Sequence, residues 1–389
     1  MPVKKAPQKS APKSKYLHDG PVDALSDKDL DQIVSEYIRK KGTEQASKYR
    51  QRKNAVISTS VVREGLFLDQ LGDSLRTVFA NKIPVPKYQS RSKKSTERIL
   101  NVLISDTHFG SMLRANEVCV NYGPVEEARR LAQVTAQVAD YKRQYRAETE
   151  LFVHLAGDII QGKLHDMQDG APLAEQVASS LHILVQSLLF LASEFKKVTV
   201  RCTPGNHGRN TARHQERATT QKWDSIENIL YYSIKSAMQQ VPNVVIEIDY
   251  KPYYVYSAFD QYGFVTHGDT VLKPGNPGKN INVNNMRHQI NEFNASLEGH
   301  KKVSLFAVGH VHTASIVHLA NGATFMSNAP LVPPDGFAQS IGIFDSACGQ
   351  WLWESVPGRI LGDHRLVYVD KHTDKDASLD KIIKPFTGF

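Results

Sequence analysis

Five short clusters of Asp, His and Asn in this sequence each follow directly after a run of β-type residues. The runs and clusters read ILNVLISDTHFG, LFVHLAGD, KVTVRCTPGNH, YGFVTHGD and SLFAVGHVH. Ligands of α/β proteins bind in the crevice outside the carboxyl ends of the strands, so five such strand ends can converge on one site. A single DxH or GNH arises by chance in many proteins, whereas five clusters in order indicate a metal site. The side chains that could bind metal there are Asp106, His108, Asp158, Asn206, His267, His310 and His312.

The types of these side chains indicate the kind of metal and the reaction. Carboxylates with imidazoles suit Mn, Fe or Zn better than Ca, and the absence of thiolates argues against a structural zinc site. Two such cations at a separation of ~3.5–4 Å would polarise phosphoryl oxygens, generate a bound hydroxide as nucleophile and stabilise the leaving oxygen. The pattern therefore predicts a phosphoester hydrolase with two divalent cations, for which Mn²⁺ is favoured and Fe or Zn are alternatives.

The elements that must position these clusters alternate between strand and helix patterns. β-type runs such as LFVHLAG and KVTVRCT are separated by helical patterns from Val125, from Leu181 and from about Trp223, which predicts an α/β domain over residues 99–389. Before it we predict three segments: a disordered basic arm (1–15), a small basic helical module (16–82) and a linker (83–98).

The order DxH, GD, GNH, H and GHxH resembles the pattern of the calcineurin-like metallophosphoesterases, from roughly Leu100 to Ser315. The resemblance implies a β-sandwich of two mixed sheets flanked by helices. It implies that the first metal is held by Asp106, His108 and His312, and the second by Asn206, His267 and His310. Asp158 would bridge the two metals. His207 would be the catalytic histidine that contacts the phosphate and assists the leaving group.

Two motifs depart from this family pattern. The second reads GDIIQGKLH, with Gln161 where the family often has a second Asp, which puts the support of the bridge in doubt. The third reads GNHGR, with Gly208 where GNHD or GNHE is common. Arg209 or Arg213 would then bind the substrate phosphate, with a solvated arginine as the equally weighted alternative.

The charge distribution bears on the substrate. Residues 1–98 contain 21 Lys and Arg against 11 Asp and Glu, whereas residues 99–389 contain 27 against 29. The first hypothesis is a DNA nuclease similar to the SbcD-type repair nucleases of the family, with the basic region on the phosphate backbone. The alternative is a small-molecule phosphatase or cyclic-nucleotide phosphodiesterase, which the near-neutral second domain favours. A non-catalytic scaffold is disfavoured because all seven ligands are present.

Other features narrow the class of protein. The three cysteines, Cys119, Cys202 and Cys348, form no CxxC pair, so neither a zinc ribbon nor a disulfide framework is expected. No apolar segment follows the basic N-terminus, and we expect a cytoplasmic protein without a membrane span. The helical module could also bind a protein partner or a second copy of the chain. His154, inside a strand, is predicted to be a core histidine rather than a ligand.

Overall fold

The computed structural model describes most of residues 69–389. The ranges 1–68, 163–169, 210–223, 276–280 and 370–378 lie outside the described residues, as do shorter stretches between them. By its contacts the chain divides into two compact units, Met1–Leu68 and Asp69–Phe389, and the described residues all belong to the second. The predicted basic arm and nearly all of the predicted helical module therefore lie outside the described residues.

The first of two sheets contains the parallel strands that precede three of the five clusters. Its order is β11-β10-β1-β2-β3-β4, in which β1 to β4 are parallel. β10 pairs antiparallel with β1, and β11 pairs antiparallel with β10 at the edge. The strands are β1 Ser95–Ile104, β2 Glu148–Leu155, β3 Lys197–Cys202, β4 Val244–Ile248, β10 Gly349–Ser355 and β11 His364–Tyr368.

The second sheet contains the strands that precede the other two clusters. Its order is β5-β6-β7-β9-β8, with β6, β7 and β9 parallel and the two edge strands antiparallel. The strands are β5 Tyr253–Ala258, β6 Gln261–Thr266, β7 Val303–Val308, β8 Ser315–His318 and β9 Thr324–Ser327.

The two sheets pack face to face around one apolar core. Their central strands are nearly continuous runs of apolar residues because both faces of each sheet are covered. One buried cluster combines residues of both sheets: Leu103, Phe152, Tyr254, Val265, Leu305, Met326 and Trp353. The burial of these side chains on both inner faces makes the fold a sandwich.

Helices cover the outer faces of the sandwich. The helices are α1 Ala115–Val118, α2 Pro124–Gln144, α3 Leu173–Glu194, α4 Ile226–Ala237, α5 Val283–Ser296 and α6 Gly336–Ser340. α2, α3 and α4 contact strands of the first sheet, and α5 buries Met286 and Ile290 against Phe264 and Phe306 of the second. Within the described residues, only α3 is long and apolar enough to cross a membrane, and 72% of its apolar window is buried inside the protein.

The predicted α/β class, with two mixed sheets flanked by helices, is confirmed. β1 starts at Ser95, four residues before the predicted domain start and inside the segment interpreted as a linker. Two bonds anchor Arg98 there: its guanidinium binds Glu354 (2.8 Å) and its carbonyl accepts from Thr149 Oγ1 (2.6 Å). The C-terminal segment, to which the sequence assigned no definite role, provides the edge strand β11 and its neighbour β10, which pairs with β1.

Candidate metal centre

The five strand ends meet at one edge of the sandwich, where backbone amides of one loop bind carboxylates of another. His310 N donates to Asp106 Oδ1 (2.9 Å), which joins the loop after β7 to the loop after β1. His207 N donates to Asp158 Oδ1 (2.8 Å), which joins the loop after β3 to the loop after β2. His267, after β6, donates from Nδ1 to the carbonyl of Ala156 (2.9 Å). The predicted convergence of the five clusters is therefore present.

The side chains at this edge form overlapping groups whose ligand atoms lie within 4.8 Å of one another. Asp106, His108 and His312 form one group, and Asp158, His267 and His310 form another. Asn206 adds to the second group, since its Oδ1 lies 3.2 Å from His267 Nε2. The structure thus brings together the members of the two ligand sets that the resemblance implied, with Asp158 in the second, and their metal ligation stays a prediction.

His207 lies as close to the cluster as the proposed ligands do. It forms a third group with His108 and Asp158, and its ring packs edge-on against that of His108, with centroids 4.4 Å apart. Its Nδ1 donates to the carbonyl of Gln161 (2.8 Å), which fixes the orientation of the ring. The position is compatible with the predicted catalytic role and also with metal ligation.

The hydrogen bonds of His108 fit cation binding. His108 Nδ1 donates to Gln161 Oε1 (2.8 Å), and burial together with the imidazoles of His207 and His312 holds the pKa of His108 well below its ordinary value. The ring is therefore neutral, and its Nε2 carries a lone pair. That nitrogen lies 3.3 Å from Nε2 of His312.

Several hydrogen-bond acceptors surround His267. Its Nδ1 is the donor to Ala156, and its Nε2 faces both Asp158 Oδ2 (2.9 Å) and Asn206 Oδ1 (3.2 Å). Burial alone would lower the pKa of His267, but the charge of Asp158 raises it to about 9. The group thus needs one positive charge among its acceptors, which a proton on His267 or a divalent cation can supply. The donor set fits two divalent cations of the Mn, Fe or Zn type.

The backbone marks the same residues. Seven described residues other than glycine have a positive φ, and five of them are proposed ligands: Asp106, His108, Asp158, His310 and His312. This left-handed conformation costs energy for residues with a Cβ and tends to concentrate at functional sites. Phe259 and Leu272 share this conformation and the proposed ligands Asn206 and His267 do not, so the strain supports the location of the site without defining its ligands.

Two glycines allow the carboxylates to approach the neighbouring loops. A Cβ at Gly205 would lie 2.0 Å from Asp158 Oδ1, and a Cβ at Gly309 would lie 2.5 Å from Asp106 Oδ2. Any other residue at either position would push the carboxylate away. These two glycines therefore make room for the carboxylates of the proposed ligands.

Three buried polar side chains support the loops, and none of them was singled out from the sequence. Glu127 of α2 accepts from Gly110 N (2.6 Å), Gln176 of α3 accepts from Gly162 N (2.8 Å), and Glu227 of α4 accepts from Ile159 N and Gly205 N. Burial raises the pKa of Glu127 to about 8 and that of Glu227 to about 7. An acid in the first turn of a helix is too common to have indicated these roles.

The structure bears differently on the residues of the two motifs that depart from the family pattern. Gln161 does support the site, through its side chain on His108 and its carbonyl on His207. Arg209 follows the His207 turn and is partly buried, while Arg213 lies outside the described residues. Their contact with a substrate phosphate stays a prediction. His154 is confirmed as a core residue, bonded to Tyr254 and Asn101.

The position of Asp158 predicts that both cations depend on it. Asp158→Asn removes the charge and one acceptor oxygen from the carboxylate that two ligand groups share. We expect the variant to bind fewer than two Mn²⁺ per chain in equilibrium dialysis with elemental analysis, with its thermal unfolding close to that of the unchanged protein. Asp140→Asn, an exposed carboxylate on α2, is the control. Two ions bound at unchanged affinity would contradict the assignment.

Comparisons with known proteins give similarity only at the level of solved structures. No protein-family model and no curated protein matches the sequence. A dimetal phosphatase from Danio rerio is 11% identical, with a TM-score of 0.34 over 70% of this chain and 99% of that one. A 5'-nucleotidase from Candida albicans SC5314 is 12% identical, with a TM-score of 0.29 over 77% of this chain and 59% of that one. The calcineurin-like phosphoesterase YfkN from Bacillus subtilis is 11% identical, with a TM-score of 0.29 over 73% of this chain and 96% of that one. The geometry of the centre described above is independent of these distant similarities.

Proposed function

We propose that this chain is a phosphoester hydrolase that works with two divalent cations. Asp106, His108 and His312 would hold one cation, and Asn206, His267 and His310 the other, with Asp158 between them. The observation that carries this proposal is the overlap of the ligand groups at the strand ends, together with the left-handed backbone at five of the ligands. Cations bound there would act as Lewis acids on the phosphoryl group and on water.

The residues of the chain would do the rest of the chemistry. The bond from His207 Nδ1 to the carbonyl of Gln161 places the proton on Nδ1 in the neutral ring. Nε2 would then take up a proton from solvent water and pass it to the leaving oxygen of the ester. The carboxylates Asp106 and Asp158 keep their negative charge. Burial would raise the pKa of Asp158, but the imidazoles of His267 and His207 hold it well below its usual value. Burial would likewise raise the pKa of Asp106, but its hydrogen bond to His312 and the charge of that imidazole lower it.

For the substrate we propose a nucleic-acid phosphodiester, DNA first. The net charge of +10 in residues 1–98 supports this, since Lys and Arg that neutralise phosphates supply most sequence-independent affinity for nucleic acid. A small-molecule phosphoester is the second candidate, because residues 99–389 carry a net charge of −2 and would repel a polyanion.

The first test is hydrolysis itself. The purified protein with Mn²⁺ should cleave at least one member of a panel that contains single-stranded DNA, duplex DNA, RNA, a cyclic nucleotide and p-nitrophenyl phosphate. Excess EDTA should abolish that activity and Mn²⁺ should restore it, because the proposed reaction has no side-chain nucleophile. Full activity in EDTA would exclude the two-cation mechanism, and cleavage of only the cyclic nucleotide or the chromogenic ester would favour the second candidate.

A second test separates the role of His207 from metal binding. His207→Ala should retain both cations, because the six other groups around Asp158 remain, and its turnover should fall by ~10²–10⁴-fold through loss of proton transfer. Elemental analysis and steady-state kinetics measure the two effects. His288→Ala, on the exposed side of α5, is the control. Loss of one cation from His207→Ala would make His207 a ligand instead.

A third test concerns the basic region. Deleting residues 1–68 removes 14 basic and 8 acidic residues and keeps the unit Asp69–Phe389 whole. The deletion should weaken DNA binding and flatten the slope of log affinity against log salt, by ~0.9 for each duplex phosphate no longer contacted. Hydrolysis of a small chromogenic diester should be unchanged.

A full-length variant sharpens this third test. Replacing Lys4, Lys5, Lys9, Lys13 and Lys15 by Gln removes the charge of the N-terminal arm without changing its length. A weaker and less salt-dependent binding of DNA would place contacts in the arm itself. Binding and cleavage of DNA at full strength by the truncated chain would rule out a DNA-binding role for residues 1–68.

A further inference from the structure

Two ligand-bearing loops of the centre touch each other backbone to backbone. A Cβ at Gly157 would lie 2.3 Å from the amide nitrogen of Gly205, and a Cβ at Gly205 would lie 2.2 Å from the amide nitrogen of Asp158. No side chain fits between the loop after β2, which carries Asp158, and the loop after β3, which carries Asn206 and His207. Their separation must therefore be set by groups outside the contact.

Glu227 is such a group, because its carboxylate binds both loops at once. Oε1 accepts from Ile159 N (2.5 Å), next to Asp158, and Oε2 accepts from Gly205 N (2.6 Å), next to Asn206. The residue is fully buried in the first turn of α4, where Ser225 caps the helix.

Glu127 offers an internal comparison. Its Oε1 accepts from Gly110 N in the loop after β1, whereas its Oε2 is buried without a hydrogen-bond partner among the described residues. Glu127 thus holds one loop with one oxygen, and a neutral amide could replace it there. Glu227 joins two loops with two oxygens, and a glutamine offers only one acceptor oxygen.

We propose that Glu227 is a positioning residue of the metal centre, where its carboxylate fixes the distance between Asp158 and the Asn206–His207 turn. This inference rests on the two-cation site proposed above. The bond from His207 N to Asp158 Oδ1 (2.8 Å) forms only when the two loops are in contact. Outer groups that orient ligands typically change metal affinity or activity by 10–100-fold when they are removed.

The absence of a side chain at Gly208 leaves room for Glu227 of α4 beside the His207 turn. A Cβ at Gly208 would lie 2.6 Å from Glu227 Cγ, so the side chain of Glu227 fills the space that a side chain at residue 208 would occupy. Gly208 has no left-handed φ that would exclude another residue. In this chain the carboxyl group beside the turn therefore comes from α4, and position 208 has no room for a side chain while Glu227 is present.

The test compares two glutamine variants of the full chain. Glu227→Gln should lower the affinity for the second Mn²⁺ by ~10–100-fold in isothermal titration calorimetry, because an amide NH₂ would face one of the two backbone N–H groups. Glu127→Gln keeps its bond to Gly110 N and should lose several-fold less. Thermal unfolding of both variants checks that they fold. If Glu227→Gln folds and binds both ions with unchanged affinity, the proposal is overturned.

A rescue experiment separates positioning from simple packing. Gly208→Glu alone should lose affinity by collision with Glu227, and Glu227→Ala alone should lose it through the missing carboxylate, yet the double variant should regain affinity to within a few-fold of the unchanged protein. A folded double variant that remains weak would overturn the positioning role. This test also stands where Glu227→Gln does not fold.

The metal-binding measurement keeps this inference separate from the proposed function. A chain that binds two cations and hydrolyses no phosphoester would contradict the proposed activity, whereas the dependence of binding on Glu227 would still be measurable. Conversely, if the unchanged protein and its Glu227→Gln variant hydrolyse a phosphoester equally well at limiting Mn²⁺, the positioning role is contradicted and the proposed activity stands.

Discussion

Two buried carboxylates, Asp106 and Asp158, are the groups on which the arrangement of the centre depends. Both are almost completely removed from solvent, and a buried charge is costly unless hydrogen bonds and opposite charges surround it. Each accepts a backbone N–H from a loop of another strand, Asp106 from His310 and Asp158 from His207. Because β1 and β7 belong to different sheets, the Asp106 bond joins the two halves of the sandwich at the centre. Removing either carboxylate would therefore release a loop as well as a ligand.

The close approach of these loops determines much of the local sequence. Gly157, Gly205 and Gly309 occupy points where a Cβ would collide with a neighbouring loop or with a ligand carboxylate. The ligands themselves accept left-handed backbone conformations, which the surrounding bonds must stabilise. Rigid support comes from helices on the outer face of the first sheet, through Glu127, Gln176 and Glu227. A centre built in this way is preorganised, since the ligand positions are fixed by main-chain contacts rather than by the cations alone.

The sequence was sufficient to predict that the five clusters converge, because the signal of each cluster is local. Each cluster ends a β-type run, and the rule that strand ends converge needs no knowledge of sheet order. The support residues could not be predicted in the same way. Glu227 lies 22 residues after Gly205, and nothing in the pattern of α4 distinguishes a buried acid from the many acids that stabilise a helix N-terminus. Sheet order was equally inaccessible, because β10 pairs with β1 across a separation such as the 256 positions between Arg98 and Glu354.

A buried histidine elsewhere in the fold shows what makes these residues a site rather than a core. The ring of His154 lies between the sheets, stacked on Trp353, and each of its nitrogens has a complementary partner: Nε2 donates to Asn101 Oδ1 and Nδ1 accepts from Tyr254. Burial and the charge of Arg201 hold its pKa well below the ordinary value, so the neutral ring needs nothing more.

His108 and His267 of the centre are about as buried as His154, but their Nε2 atoms have no such settled partners. Nε2 of His267 faces a carboxylate and an amide oxygen, which are both acceptors, while Nε2 of His108 faces Nε2 of His312, which also lies 3.3 Å from Asp106 Oδ1. Residue type and burial are therefore shared by core and site, and the distinguishing property is an excess of acceptors that only added positive charge can satisfy. A proton can satisfy one such pair at a time. Two divalent cations would satisfy all of them together, which is the chemical reason to propose metal binding for this cluster and not for His154.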